Sequence, residues 1–185
     1  MGLRKASAYS RRPVVPYTRI SRRKGKAFIK VNPPQKIVKF SMGDASAFNK
    51  GKFPIHLTMV STEYCQIRNY ALEACRQYIV KQLDNQLPGQ YFFRVIPYPH
   101  HIQRENKMLT GAGADRMSSG MQLSFGKSAG KAAIVKPNGK LFFVAIANPK
   151  AEAIARKIMH TINSKLPCRK RILTEVVKQP VVTTQ

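Results

Sequence analysis

Acidic residues are scarce in this chain: 8 Asp and Glu stand against 33 Lys and Arg in 185 residues, a formal charge of +25 at pH 7. That balance argues against a free-standing domain, because like charges at such density repel one another unless a polyanion neutralises them. Tryptophan is absent and cysteine is limited to three residues. Cys65 and Cys75 stand ten apart and Cys168 lies far downstream, so there is no CxxC pair. Neither a zinc site nor a disulfide framework fits that spacing, and Cys75 reads as a small buried hydrophobe. Long apolar runs are also missing. No stretch approaches the roughly 18 residues of a membrane-spanning helix, and no secretory hydrophobic region is present. Met1-Gly2 has the start of a myristoylation signal, but Ala6 stands where that signal needs Ser or Thr. The Arg-rich, acid-poor opening shares its composition with organellar transit peptides. Of the polyanions, nucleic acid fits better than a membrane surface, because the helical segments are not Lys-rich interfacial amphipaths.

The chain does have enough apolar residues for one core, 43% of the total. Its positive charge is concentrated at the start. Residues 1–52 contain fourteen Lys and Arg and one acid, Asp44, net +13. Pro13, Pro16, Pro33 and Pro34 interrupt regular structure there, while Tyr9, Tyr17 and Phe28 lie among the cations as stacking platforms for unpaired bases. The pattern predicts an RNA-binding extension in which Arg4, Lys5, Arg11, Arg12, Arg22, Arg23, Lys24 and Lys26 meet phosphates and Tyr17 stacks. A solvated tail is the plainer alternative.

From residue 53 the pattern becomes that of a single α+β domain reaching residue 177, followed by a tail at 178–185. Pro54 to Val60 is rich in β-formers, and Ser61-Thr62 can cap a helix over 62–83 whose stripe is Ile67, Ala71, Ala74, Cys75, Tyr78 and Ile79. Tyr91 to Ile96 reads as a strand. Ala132 to Ile146 reads as a hairpin, because Asn138-Gly139 suits a tight primed turn. Asn148-Pro149 opens a helix over 149–163 with the stripe Ala151, Ile154, Ala155, Ile158 and Ile162, and Arg171 to Val177 adds a last strand. Two well-separated helices cannot cover both faces of a parallel sheet. The expected architecture is therefore an antiparallel or mixed sheet with both helices on one face.

Between the strands at 91–96 and 132 lies a long loop, 98–131, containing "NKMLTGAGADRMSSGMQLSFGKSAG". Its five glycines at 111, 113, 120, 126 and 130 make self-ordering costly. Connections of this length are functional or disordered. "GAGADR" lacks the third Gly of a dinucleotide fingerprint, since Arg116 stands there. "GKS" at 126–128 lacks the upstream Gly and the strand of a phosphate-binding loop. Ser118, Ser119, Ser124 and Ser128 have no local base, and the His and acidic residues form no triad or carboxylate pair. No catalytic residue, metal site or cofactor is expected. Arg104, Lys107, Arg116, Lys127 and Lys131 can instead meet phosphates, and His100 and His101 can hydrogen-bond or stack on bases.

The stretch "PYPHHIQRENKMLTGAGADRMSSGMQLSFGKSAGKAA", Pro97 to Ala133, resembles the large-subunit ribosomal protein family called "ten-e" in archaea, the counterpart of bacterial large-subunit protein sixteen. "HLTMVSTEY", "ALEACRQYIVK" and "KLPCRKRI" extend the resemblance to residues 1–175. It implies an α+β protein of the archaeal type, cytoplasmic and present at one copy in the large ribosomal subunit. Implied partners are large-subunit rRNA near 5S rRNA, the tRNA acceptor end and neighbouring ribosomal proteins. The resemblance further places His101, Arg104, Asn106, Lys107, Met108 and Arg116 near the peptidyl-transferase centre. Lys131 departs from the Thr usual in the family, and Ser118-Ser119 fall at a variable place. A free-standing RNA chaperone or regulatory RNA-binding protein is the alternative reading.

Overall fold

A computed structural model describes residue 29, residues 31–105 and residues 127–177. Among these residues eight strands and three α-helices follow one another as β1 (Ser41–Gly43), α1 (Ala45–Asn49), β2 (Ile55–Ser61), β3 (Cys65–Arg68), α2 (Asn69–Gln86), β4 (Tyr91–Val95), β5 (His101–Glu105), β6 (Lys127–Val135), β7 (Lys140–Ile146), α3 (Pro149–Thr161) and β8 (Lys170–Val176). A 3-10 turn over Ile162–Lys165 extends α3.

Two sheets form, with the orders β1-β4-β7-β2-β8 and β3-β6-β5, and every pairing in them is antiparallel. In the larger sheet the strand alternation separates two apolar layers. Leu57, Met59, Phe93, Phe142 and Val144 turn inward and join Leu72, Cys75, Ile79 and Leu83 of α2 and Ala151, Ala155, Ile158 and Met159 of α3 in one core. Cys65, Ile67, Ala133 and Val135 bring the smaller sheet to the same core. Phe92 and Ala145 point the other way and pack with Ala47 of α1 and with Phe53. The α+β expectation with α2 and α3 over a sheet thus holds in its coarse form, with a second sheet and a short third helix on the opposite face. β1 and α1 fall within 1–52, so part of that basic segment belongs to the packed fold.

Four local expectations are corrected. The helix begins at Asn69 rather than 62, because Cys65 and Ile67 alternate as buried strand residues while Gln66 and Arg68 are half-exposed. Ser61 organises the turn between β2 and β3 instead of capping: its hydroxyl donates to the Glu63 carbonyl at 2.7 Å and accepts from the Glu63 N–H at 3.3 Å. Ala74 is exposed, and Leu72 and Leu83 carry the buried stripe in its place. The Asn138-Gly139 turn has the expected chemistry, with Asn138 at φ 60°. Its flanking strands do not pair with each other, however. β6 joins the smaller sheet and β7 the larger, and the turn bonds instead to the end of β2, through Asn138 N–H to the Ser61 carbonyl and Ser61 N–H to the Gly139 carbonyl.

The β-strand at the C-terminal end forms as expected and pairs with β2 from Ile55–Val176 to Ser61–Lys170. Being an edge, it carries Lys170 and Arg171, charges that oppose pairing with another chain. The three cysteines are free and buried, and burial pushes the Cys75 thiol up to about 12, as suits an inert core residue.

Candidate nucleic-acid interface

The long loop is shorter than the sequence pattern implies, because both of its ends are strand. β5 and β6 pair from His101–Ala132 through Gln103–Gly130, and after a bulge from Arg104–Ser128 to Glu105–Lys127. Residues 106–126 therefore leave and re-enter the fold at one end of a two-stranded ladder. The ladder is tied to the rest of the molecule by β3, whose Ile67 and Arg68 sit opposite Ala133 and Ala132. A further tie comes from the Ser128 hydroxyl, which donates to the Val31 carbonyl at 2.7 Å and brings residue 31 to the start of β6.

Of the sequence candidates, Lys127, Lys131, His101 and Arg104 lie in this ladder. Lys127 is exposed, while Lys131 and Arg104 are half-buried. His101 is only 7% exposed, and burial is the first cause holding its imidazole below the usual histidine pKa, followed by the charges of His100 and Arg104. A neutral ring is thus favoured at His101. The neighbouring His100 is exposed, with Nδ1 3.1 Å from the Tyr98 carbonyl. Gln103 is also buried, opposite Gly130, and donates through Nε2 to Gln66 Oε1 of β3 at 3.3 Å. The candidates Arg4, Lys5, Arg11, Arg12, Tyr17, Arg22, Arg23, Lys24, Lys26, Asn106, Lys107, Met108 and Arg116 lie outside the described residues.

A second cationic cluster went unnoticed as a site in the sequence. Tyr70, 51% exposed at the start of α2, has Arg68 5.6 Å and Lys36 5.8 Å from its ring centroid. Cations over an aromatic face make a surface able to take both a phosphate and a base. "IRNY" carried a faint signal: a Tyr beside an Arg, just after a buried alternating pair.

The few acids are mostly committed within the fold. Asp44 accepts from the Ala47 N–H at 2.8 Å and caps α1, and Asp84 accepts from the Tyr91 hydroxyl. Glu73, Glu152 and Glu63 pair with Arg76, Arg156 and Arg169, the three ion pairs formed among the described residues. Among the described residues Lys and Arg far outnumber Asp and Glu, the electrostatic footprint of a nucleic-acid binder. Among the described residues no cluster of His, Cys, Asp and Glu could hold a metal, and no helix is long and apolar enough to cross a membrane.

Residues 16–173 match the family described as ribosomal protein L16p/L10e. The chain belongs to this family. Among its relatives, the large ribosomal subunit protein uL16 of Methanosphaerula palustris is 42% identical over 83% of this chain and 85% of its own length. The protein of that name from Pyrobaculum arsenaticum is 40% identical over 95% of this chain and 93% of its own, and that from Thermofilum pendens 39% identical over 95% and 98%. The L16p/L10e match spans both sheets, the loop they hold and the basic segment from residue 16 onward.

Proposed function

We propose that this chain is a structural constituent of the large ribosomal subunit that binds and organises rRNA, without an enzymatic role of its own. The observation that carries the reading is the family match over residues 16–173, with relatives named as large-subunit proteins aligned along 95% of the chain. Charge and geometry supply the mechanism. The surplus of cations over acids gives affinity for phosphate, and the two sheets give a rigid base from which basic segments depart.

In its finer form the reading places the protein near 5S rRNA, with 106–126 directed toward the peptidyl-transferase centre and the tRNA acceptor ends. Arg104, Asn106, Lys107, Met108 and Arg116 approach the functional RNA. His101, neutral and buried in β5, supports the base of the loop. The arm residues Arg4, Lys5, Arg11, Arg12, Arg22, Arg23, Lys24 and Lys26, with Lys127 and Lys131, neutralise rRNA phosphates, and Tyr17 stacks. The RNA performs the peptidyl-transfer chemistry while the protein fixes its surroundings, in the cytoplasm and at one copy per subunit.

Sucrose-gradient sedimentation of native extract, with quantitative mass spectrometry of each fraction, tests this directly. One copy in large subunits, retained through a high-salt wash, is the expected result. A salt-stable pool free of ribosomes would instead favour the RNA chaperone.

A further inference from the structure

The outer face of the five-stranded sheet contains a groove of about 520 Å³ that the loop and the basic arm do not explain. Its walls are aromatic. On one side Phe40 stacks on Tyr98 with centroids 5.7 Å apart and planes at 28°. On the other Phe92, buttressed by Phe48 at 4.5 Å and 14°, meets Phe143 edge-on at 6.4 Å. Arg94 and Lys140, both exposed, also line it beside Ser41, Val95 and Ile96, and no acid contributes. Asp44, the acid nearest in sequence, is turned to the N-terminus of α1.

We propose that this groove holds an unpaired nucleotide of RNA, its base stacked against the Phe40–Tyr98 wall and its phosphate on Arg94 and Lys140. The inference rests on the ribosomal reading and adds to it a second contact surface, away from the loop. Its chemistry follows from the sheet alternation. Phe92 and Arg94 project from β4 to the same face, and Phe143 of β7 lies opposite Arg94 in register, so one strand pair presents aromatic planes and a cation side by side. Single-stranded RNA is read in this way, by stacking on aromatic side chains beside cations that follow the backbone. The volume lies within the roughly 300–1,000 Å³ of ordinary ligand pockets. Charge decides the occupant: an apolar protein segment would leave Arg94 and Lys140 uncompensated, whereas a nucleotide satisfies rings and cations together.

Tyr98 is 56% exposed and Arg94 is exposed, so both can be changed without opening the core. Binding of the full chain to an oligoadenylate of about twelve nucleotides and to a duplex RNA of equal length would be measured for wild type, Tyr98→Ala and Arg94→Gln, with melting curves as controls. Tyr98→Ala is expected to weaken single-strand binding roughly tenfold and to leave duplex binding unchanged. Arg94→Gln should lower the single-strand salt slope by about 0.7. Equal effects on both RNAs, or none, would overturn the proposal. Ultraviolet crosslinking of purified large subunits supplies the second arm, with RNA adducts expected on peptides containing Phe40, Phe92 or Tyr98. Adducts confined to other peptides would refute the groove while leaving the ribosomal reading intact, and protein-protein crosslinks at the groove would assign it to a neighbouring protein. Absence of the chain from large subunits would overturn both readings.

Discussion

The two sheets are built differently. The five-stranded sheet is apolar on both faces along its central strands: Leu57, Phe93 and Val144 pack inward beneath α2 and α3, and Phe92 and Ala145 pack outward with α1. The three-stranded sheet buries His101 and Gln103 along β5, opposite the small residues Ala132 and Gly130. Apolar burial on two faces lets the first sheet stabilise itself. The second buries Ile102 and Ala132 besides Cys65, Ile67, Ala133 and Val135, the last four of which lean on the shared core, and its free end carries Arg104, Glu105 and Lys127. The difference separates a scaffold from a mount. One sheet sustains the fold, and the other pairs the two strands that flank residues 106–126.

The largest expected effects come from the scaffold. Phe93 is fully buried and lies 5.9 Å from Phe142, so Phe93→Ala is expected to cost about 3–5 kcal/mol in denaturant unfolding. Ile158→Ala should cost about 2–5 kcal/mol and Ile154→Ala clearly less, since Ile158 is 5% exposed and Ile154 is only partly buried. Equal losses at the two isoleucines would break the assignment of the inner helix face.

Gly43→Ala comes next. At φ 85° a side chain is strained, and an added Cβ would stand 2.3 Å from the Tyr91 carbonyl oxygen, part of the backbone to which β1 pairs. The expected loss is about 2 kcal/mol or more, read from the melting temperature. Wild-type stability would show that β1 is dispensable to the larger sheet.

Glu73 sharpens the comparison through pH. Its carboxylate accepts from Arg76 Nε at 2.8 Å and Nη2 at 2.5 Å, and these bonds, the largest cause, hold its pKa below the usual 4.5. The contribution is complete above about pH 4.5 and is lost as pH falls through the lower folded value. Glu73→Gln should therefore cost about 1–2 kcal/mol at neutral pH and progressively less in acid. A stability difference that does not change with pH would remove the carboxylate from this role.

The smallest effects on stability belong to the mount. Lys127→Gln and Lys131→Gln are each expected to stay within about 0.5 kcal/mol of wild type. Each should nevertheless lower the salt slope of RNA binding by about 0.7–0.9 for the phosphate it no longer meets. An unchanged slope would exclude the pair from the interface.

These contrasts also explain which parts of the fold were legible in the sequence. β2, β4, β7 and β8 stand out as runs of β-formers and α3 by its helical spacing, and of the stripe Ala151, Ile154, Ala155, Ile158 and Ile162 all are buried except Ile154, which is half-buried. The start of α2 was misread because Cys65 and Ile67 fit a helix and a strand equally well over so few residues. Only the pairing with Val135 and Ala133 decides between them, and that is a contact distant in sequence. Asn138-Gly139 announced the turn but not its partner, since local turn chemistry does not say which sheet each flanking strand enters. β5 was hidden by its polar residues: His101, Gln103 and Arg104 have no apolar alternation to display, and their burial comes from neighbours. The candidate site was legible as composition, a surplus of cations, whereas the Tyr70 cluster and the aromatic groove depend on side chains that only the fold brings together.

The central claim, that the scaffold stands without the loop while function depends on it, has a direct test. Glu105 and Lys127 are paired at the ends of β5 and β6, so a brief Gly-Ser turn can replace residues 106–126 and close the ladder as an ordinary hairpin. Because loop length changes closure entropy only slowly, the shortened protein is expected to melt within a few degrees of wild type. Large subunits shown to contain it should fail in tRNA accommodation and translation. Normal translation by those same subunits would contradict the account.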